Sequence, residues 1–354
     1  MKKESIETFQ KFINEVGDNP VLIVMHDVPD PDAMGSALGL QLIFKMKGIE
    51  STIHYRGDIS HPQNKTLVNV LGITGFNKLA DGEIIKAEMP VVVVDGTENN
   101  SCAGDYPDLV IDHHKNTTKA KNKIVSADYG ACSTMIWEIF KHLDITSIKE
   151  DSEEKVITED YSNIFTSLLL GVRTDTNDLT SEYMTKNDFI AYQELLDLSD
   201  KESLQKIMNY PYPKYLYDRR LDLHKEGNSA EKNGVFVGGV GFIPSSQRDV
   251  IAVLSEEYAR MESVNTSIIF AIIDKTTLHV SIRSSNVSLD VGSMCSELFG
   301  HYGGGTSYKG GAAIPLSFYS DLENGEKEKF WNVTCTHMFR KIFKEAWLEE
   351  MKEE

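Results

Sequence analysis

Three β-branched apolar runs in this chain each end on residues with metal-binding chemistry. Residues 21–25 run into His26, residues 91–94 into Asp95, and residues 109–111 into Asp112, His113 and His114. Runs this short, bounded by turn residues, read as buried strands, and the amphipathic stretches elsewhere read as helices. Strands alternating with helices build a mostly parallel sheet, and such sheets bind ligands at the carboxyl ends of their strands. The shared position of His26, Asp95 and Asp112 to His114 therefore predicts that they meet in space.

The first run leads into His26-Asp-Val-Pro-Asp30-Pro-Asp32-Ala-Met-Gly35-Ser36, and a helix pattern follows from Ala33 to about Lys47. One imidazole and two carboxylates are thus crowded onto a strand-to-helix turn, where they would repel unless a cation sat among them. Gly35 and Ser36 stand at the helix start, where backbone N–H groups can meet an anion. A fourth piece, Gly171-Val-Arg-Thr-Asp175-Thr176, follows a helix pattern that begins near Glu159. Helix capping would explain Asp30 or Asp32 alone, but not four separated pieces that each supply ligands. Imidazole and carboxylate without thiolate suit Mn²⁺, Mg²⁺, Fe²⁺ or Zn²⁺, with Mn²⁺ favoured by oxygen-rich sites. The ligands are too many for one ion and suit two, ~3.5–4 Å apart, bridged by a carboxylate and a hydroxide. Asp95, alone at a strand end, is the natural bridge. Two such cations would supply hydroxide at neutral pH and neutralise phosphoryl oxygens in an in-line displacement.

With 354 residues the chain calls for two domains. Its formal net charge of −18 makes it a poor general binder of nucleic acid or anionic membrane, so an anionic substrate needs local cations and long DNA is not expected. The four cysteines form no Cys-x-x-Cys pair, which argues against a zinc ribbon or disulfide framework and fits a reducing cytoplasm. The N-terminal residues show no signal-peptide core, and no apolar stretch approaches the ~20 residues of a membrane helix. Residues 1–195 read as the catalytic domain, 196–230 as a helical linker broken at Tyr210-Pro-Tyr-Pro213, and 231–354 as a second α/β domain. Within the first, 4–17 reads as a helix, 51–55 as a strand, 131–143 as a helix, 58–88 as loops with short helices, and 146–160 as a solvated excursion. Within the second, the pattern gives a strand over 235–243, a helix over 249–260, antiparallel strands over 267–274 and 277–283, and a helix over 291–298. A glycine-rich loop over 303–311 and a final helix over 326–349 follow. The stripe Phe330, Met338, Phe339, Ile342 and Trp347 on that helix suits core or homodimer contact.

At this point the residues resemble a known family, the DHH phosphoesterases, and its two-domain DHH/DHHA1 branch. His26-x-x-Pro-Asp30-x-Asp32-Ala-x-Gly-Ser36 resembles motif I, the run to Asp95 motif II, Asp112-His113-His114 the name-giving motif, and Gly171-x-x-Thr-Asp175-Thr176 motif IV. Val280-Ser-Ile-Arg283 and Gly303-Gly304-Gly305 resemble the second domain's strand arginine and glycine loop. The resemblance implies a mostly parallel α/β domain with helices on both faces of its sheet, a smaller α/β domain, and an active site between them. It implies one metal on His26, Asp30 and Asp95, and a second on Asp32, Asp95, His113 and Asp175. His114 would face the scissile phosphate, Asp112 would orient the histidines, and Asp95 would complete the catalytic set. Substrate would be held by Ser36, His114, Arg283 and the backbone of Gly303, Gly304, Gly305, Thr306 and Ser307. Thr306 stands where the family loop has histidine, with His301 five residues earlier, and Asn177 replaces the glycine common after motif IV.

The expectation is a cytoplasmic hydrolase with two divalent ions, Mn²⁺ first and Mg²⁺, Co²⁺ or Fe²⁺ as alternatives. Its expected substrates are short oligoribonucleotides, linear dinucleotides such as pApA, or 3′-phosphoadenosine 5′-phosphate, as in the oligoribonuclease and pAp-phosphatase type. Cyclic-dinucleotide hydrolysis is an alternative. A RecJ-like exonuclease is weakened by the acidic composition, and an inorganic pyrophosphatase by the lack of a basic Ser-Arg-Lys-Lys-Gln-type run. A nucleotide-sensing module without catalysis would have lost a ligand, and every ligand is present.

Overall fold

The structure is a computed structural model that describes residues 1–80, 82–86, 88–115, 117–143, 147–150, 153–156, 161–316 and 324–347; for 147–150, 153–156, 324–325 and 344–347 it describes the backbone only. Most of the expected excursion at 146–160, the side chain of Trp347 and the end of the final helix lie outside the described residues. The chain divides into two compact units, residues 1–59 with 63–211 and residues 60–62 with 212–354.

The first unit contains α1 (Lys3–Val16), β1 (Val21–Met25), α2 (Pro31–Met46), β2 (Ser51–Arg56), α3 (Pro62–Val70), β3 (Phe76–Leu79), β4 (Val91–Val94), β5 (Leu109–Asp112) and β6 (Asn122–Val125). Then come α4 (Cys132–His142), the hairpin β7 (Ser147–Glu150) and β8 (Glu153–Val156), α5 (Ser162–Asp175), α6 (Lys186–Leu198) and α7 (Lys201–Met208). Six strands form one parallel sheet in the order β3-β2-β1-β4-β5-β6. The chain moves outward from β1 to β3, then returns to build from β4 on the other side of β1. That reversal opens a crevice at the carboxyl ends of β1 and β4, where doubly wound sheets bind ligands.

The five residues of β1 are buried throughout. Val21, Ile23 and Met25 face a large core that takes in α1, α2, α4, α5 and α6, with Phe9, Phe44, Leu40 and Phe165 at its centre. Leu22 and Val24 face a smaller core with Val91, Val93 and Val110. Among the described residues, loop segments rather than helices close that second face, through Cys102, Ala103 and Ala120. A strand buried on both faces reads as a continuous apolar run, which is why β1, β4 and β5 are plain in the sequence. The edge strands β3 and β6 are half-exposed and lack that signature. β3 falls in the stretch that the sequence reads as loops with short helices, and β6 in one to which the sequence gives no element.

The second unit holds α8 (Lys214–Leu223), β9 (Ser229–Lys232), β10 (Val235–Ile243), α9 (Val250–Tyr258), β11 (Thr266–Ile273), β12 (Thr277–Ser284), α10 (Val291–Phe299), β13 (Gly303–Gly305), β14 (Lys309–Pro315) and α11 (Asn324–Trp347). Its sheet runs β13-β14-β12-β11-β10-β9, with only β10 and β11 parallel. The glycine-rich stretch is a correction: it forms two paired strands rather than an open loop. A Cβ on Gly303 would lie 2.3 Å from the Cys295 carbonyl oxygen, and one on Gly305 2.3 Å from that of Lys309. These glycines allow α10 and the β13–β14 pair to approach closely.

Helix α2 packs on α5 at similarly close range. A Cβ on Gly35 would meet the Ser167 carbonyl oxygen at 2.6 Å. Gly35→Ala is therefore expected to destabilise the protein by ~1–3 kcal/mol through overpacking, against the ~1 kcal/mol that helix propensity alone would add. Denaturant midpoints of the two proteins check the sign, and a stabilised variant would contradict this packing.

Candidate metal centre

Each ligand candidate sits where a strand or helix ends. His26 follows β1, Asp95 follows β4, Asp112 ends β5 and Asp175 ends α5. Asp30 caps α2, its Oδ1 accepting from the amides of Asp32 (3.0 Å) and Ala33 (3.1 Å). Asp32 lies in the first turn of the same helix and has no accessible surface. Its carboxylate reaches the N-terminus of α4, accepting from Cys132 N at 2.6 Å and Ser133 N at 2.8 Å. Free helix N-terminal amides are good partners for an anion, and here a carboxylate of the chain itself takes them. Gly171 on α5 makes room, since a Cβ there would come within 2.7 Å of Asp32 Oδ1 and 2.2 Å of Ser133 Oγ. Asp95 has φ +54°, a left-handed conformation unfavourable for a residue with a Cβ. Its amide donates to Ile111 O at 2.9 Å, so β5 holds it there.

These elements bring eight of the expected residues together. His26 Nε2 lies 3.7 Å from Asp30 Oδ1 and 3.6 Å from Asp95 Oδ2. His113 Nε2 faces Asp175 Oδ2 at 3.2 Å, Asp95 Oδ1 at 3.4 Å and Asp32 Oδ2 at 3.8 Å. Asp95 Oδ1 and His113 Nε2 are buried without a well-formed hydrogen bond. Buried polar atoms are rarely left so, and several acceptors around one ring nitrogen need a cation between them. The donor atoms form overlapping groups within 4.8 Å: His26, Asp30 and Asp95; Asp32, His113 and Asp175; and Asp95, His113 and His114. Asp95 is common to two of them. The residues present thus fit two divalent cations.

Tautomers follow from the hydrogen bonds. His26 Nδ1 donates to Asp27 O at 2.8 Å, since a carbonyl can only accept, and Nε2 keeps its lone pair for a cation. His114 Nδ1 donates to Asp112 Oδ1 at 2.8 Å, and Asp112 also accepts from the His114 amide at 3.1 Å. Asp112 is fully buried and His114 47% exposed, and the bond between them takes Nδ1 of His114 rather than its second ring nitrogen.

Ser36 is a correction. It has no accessible surface, and its hydroxyl pairs with that of Ser133 at 3.4 Å. It therefore supports α2 against α4, with no surface open to a ligand. Thr306 is a second correction to the expected nest of amides, because its N–H donates to Lys309 O at 2.7 Å. Arg283 donates to Ser281 Oγ at 3.2 Å and Ile282 O at 2.9 Å. Arg173 pairs with Asp178 at 2.6 Å, an ordinary salt bridge.

Two supports were not read from the sequence. Asp188 is buried and accepts from Gly130 N (2.8 Å), Thr134 Oγ1 (2.6 Å), Thr185 N (2.8 Å) and Thr185 Oγ1 (2.6 Å), fixing the turn that leads into α4. The Thr185-x-x-Asp188 capping box was its signal. Arg56, at the end of β2, makes a paired contact with Asp27, Nε to Oδ1 at 3.0 Å and Nη2 to Oδ2 at 2.5 Å. Its own carbonyl accepts from Val28 N at 2.8 Å, and Val28 has φ +59°. Arg56 thereby holds the strained 26–28 turn that presents the Asp27 carbonyl to His26.

The crowding shifts the titrations. Burial raises the Asp32 carboxyl well above the usual range, and the Asp95 and Asp175 charges raise it further. Burial also raises Asp95, against the pull of His113. For His26, burial works downward but the Asp30 and Asp95 carboxylates outweigh it, and the imidazole is held up at about 10. His113 is likewise raised, by Asp175 and Asp95 against burial, and His114 by Asp112 against burial.

Residues 20–172 match the DHH family, N-terminal domain. An uncharacterized protein of Methanocaldococcus jannaschii is 30% identical over 314 residues, covering 87% of this chain and 60% of that protein. A second uncharacterized protein of that organism is 29% identical over 202 residues, covering 52% of this chain and 55% of the relative. The chain spans three-fifths or less of the length of these curated relatives. Among solved structures, an exopolyphosphatase-related protein from Bacteroides fragilis has the same fold, with a TM-score of 0.67 and 15% identity over 97% of this chain and 98% of that one. The converging ligands lie in the stretch that matches the DHH family, N-terminal domain, or, for Asp175, three residues beyond its end.

Two outcomes follow from this geometry. A raised imidazole stabilises the metal-free fold below its unfolded pKa of ~6.5 and loses that contribution as pH rises through the folded value. Melting of the chelated protein is therefore expected to fall between about pH 6.5 and 9, less steeply in His26→Gln, with divalent cations stabilising more as pH rises. A chelated protein that gains stability over that window would contradict the assignment. Separately, Arg56→Lys keeps the charge but loses the paired geometry. By analogy with other supports of metal-bound histidine, titration calorimetry should show divalent-ion affinity ~10–100-fold weaker with the fold retained. Unchanged affinity would show that Arg56 does not orient His26.

Proposed function

We propose that this chain is a two-metal phosphoesterase that hydrolyses short oligoribonucleotides, linear dinucleotides such as pApA, or 3′-phosphoadenosine 5′-phosphate. The observation that carries the reading is Asp95 standing between two ligand groups, with one oxygen buried and unsatisfied. His26, Asp30 and Asp95 would hold one cation, and Asp32, Asp95, His113 and Asp175 the other, with Mn²⁺ favoured by the oxygen-rich set. When bound, the two cations would provide a nucleophile at neutral pH and neutralise charge on the phosphoryl group.

The chain's own residues supply the rest. Asp112 fixes His114 by its Nδ1–H, leaving Nε2 to meet a phosphoryl oxygen. Cys132 and Ser133 hold Asp32 rigid through its carboxylate, so the ligand is in place before a cation arrives. Arg283 supplies a planar donor fork for the anionic ligand that a chain of net charge −18 otherwise repels. The solved neighbour's description as exopolyphosphatase-related places polyphosphate among the substrates to be compared.

Asp95→Ala is expected to lower turnover at least ~100-fold, a barrier increase of ~2.7 kcal/mol, while the metal-free protein melts no lower because a like charge has been removed from the cluster. The test is a panel of pAp, pApA, longer RNA, cyclic dinucleotides, polyphosphate and pyrophosphate with added Mn²⁺. Turnover of none of them, or full turnover after chelation, would refute the two-metal reading.

A further inference from the structure

Helix α5 ends on Asp175, and the backbone just beyond it is strained. Asn177, Asp178 and Leu179 have φ of +48°, +52° and +64°, three successive residues in the left-handed region and none of them a glycine. A Cβ makes that conformation unfavourable, and side chains other than hydrogen visit it as single residues rather than as runs. Nine described non-glycine residues have positive φ. Five of the nine are Asp95 itself, Val28 two residues after His26, and this run beginning two residues after Asp175. Strain gathers in this way at functional sites, where the surrounding structure imposes a geometry that the local sequence would not choose.

Hydrogen bonds hold the run, and they converge on Thr176. Its first residue closes α5 as many helices are closed. Asp178 N donates to Arg173 O at 2.7 Å and Asn177 N to Thr174 O at 3.3 Å, with asparagine where glycine is usual. The next two residues stay left-handed under bonds to Thr176, which has no accessible surface. The Thr176 carbonyl accepts from Thr180 N at 3.0 Å and Ser181 N at 2.9 Å. Its hydroxyl donates to Val172 O at 2.5 Å and accepts from Leu179 N at 3.2 Å. The Arg173–Asp178 pair adds little, because Asp178 is 58% exposed.

The same segment also backs a second ligand. A Cβ on Gly130 would lie 3.0 Å from Thr176 Cγ2 and 3.0 Å from the Tyr183 carbonyl oxygen, so this stretch packs on the turn that leads into α4. The first amides of α4 hold Asp32. Asp175 and Asp32 both face His113 Nε2, at 3.2 Å and 3.8 Å. His26 and Asp30 are held elsewhere, by the Asp27 carbonyl and the first turn of α2.

We propose that Thr176 is a positioning residue for one cation of the pair. Through the left-handed turn it fixes Asp175, and through the Gly130 turn it backs Asp32. It therefore serves the cation at Asp32, His113 and Asp175 and not the cation at His26 and Asp30. The proposal rests on the two-cation reading and goes beyond it by giving the two ions separate supports.

The test is Mn²⁺ binding to the chelated full chain, followed by titration calorimetry and electron paramagnetic resonance, without turnover. The parent is expected to take up two ions whose spins couple. Thr176→Val keeps the shape but loses the hydroxyl. It should weaken one ion ~10–100-fold, as loss of a ligand's support does, and leave the other unchanged, so an uncoupled single-ion spectrum persists well past one equivalent. Thr176→Ser should recover most of the loss. Asn177, which is exposed, gives a second arm that leaves the buried threonine intact. Asn177→Ala and Asn177→Gly both lose the bond to Thr180 Oγ1, but only glycine adopts the left-handed backbone freely. The alanine variant should weaken the same ion several-fold and the glycine variant should not. Equal loss at both ions, no loss in Thr176→Val, or equal affinity in the two Asn177 variants would overturn the proposal and keep the two-cation reading. A parent that takes up a single ion would refute that reading and the proposal together.

Discussion

Mutual repulsion among buried carboxylates is the interaction on which the rest of the first unit depends. Asp32 and Asp95 are almost wholly buried, and Asp30 and Asp175 crowd the same space around His26 and His113. No arrangement of these groups alone satisfies them, as the orphaned Asp95 Oδ1 and His113 Nε2 show. The scaffold holds the conflict in place. Amides at the N-terminus of α4 fix Asp32, β5 fixes the left-handed Asp95, and Asp30 is tied to the first turn of α2. Glycines at 35 and 171 let α2, α4 and α5 close on one another, so the carboxylates cannot move apart. A site this preorganised would take up cations without first having to assemble its ligands.

The legible part of the fold was the part buried on both sides. Strands β1, β4 and β5 are continuous apolar runs, and the sheet rule put their terminal residues at one crevice. The edge strands β3, β6 and β9 are short and half-exposed, so they carry too few apolar residues to stand out from loop. The glycine run from 303 was ambiguous for a physical reason. Glycine serves both an anion-binding turn and a close backbone contact, and here it serves the second, against α10.

At the site, residue types and spacing pointed to the side chains that converge, whereas their supports depended on tertiary contacts. Ser36 follows the ligand motif in sequence, yet one face of α2 is sealed by α4 and α5, and the serine lies on that face. Asp188 and Arg56 work through partners 54 and 29 residues away, a pairing that no local pattern announces.

The central claim is that Asp95 stands between two divalent cations. Anomalous diffraction from crystals of the chelated protein soaked in Mn²⁺ tests it most directly. The account predicts two peaks ~3.5–4 Å apart, with Asp95 contacting both, His26 and Asp30 on one, and Asp32, His113 and Asp175 on the other. A single peak, or two peaks of which neither contacts Asp95, would contradict it.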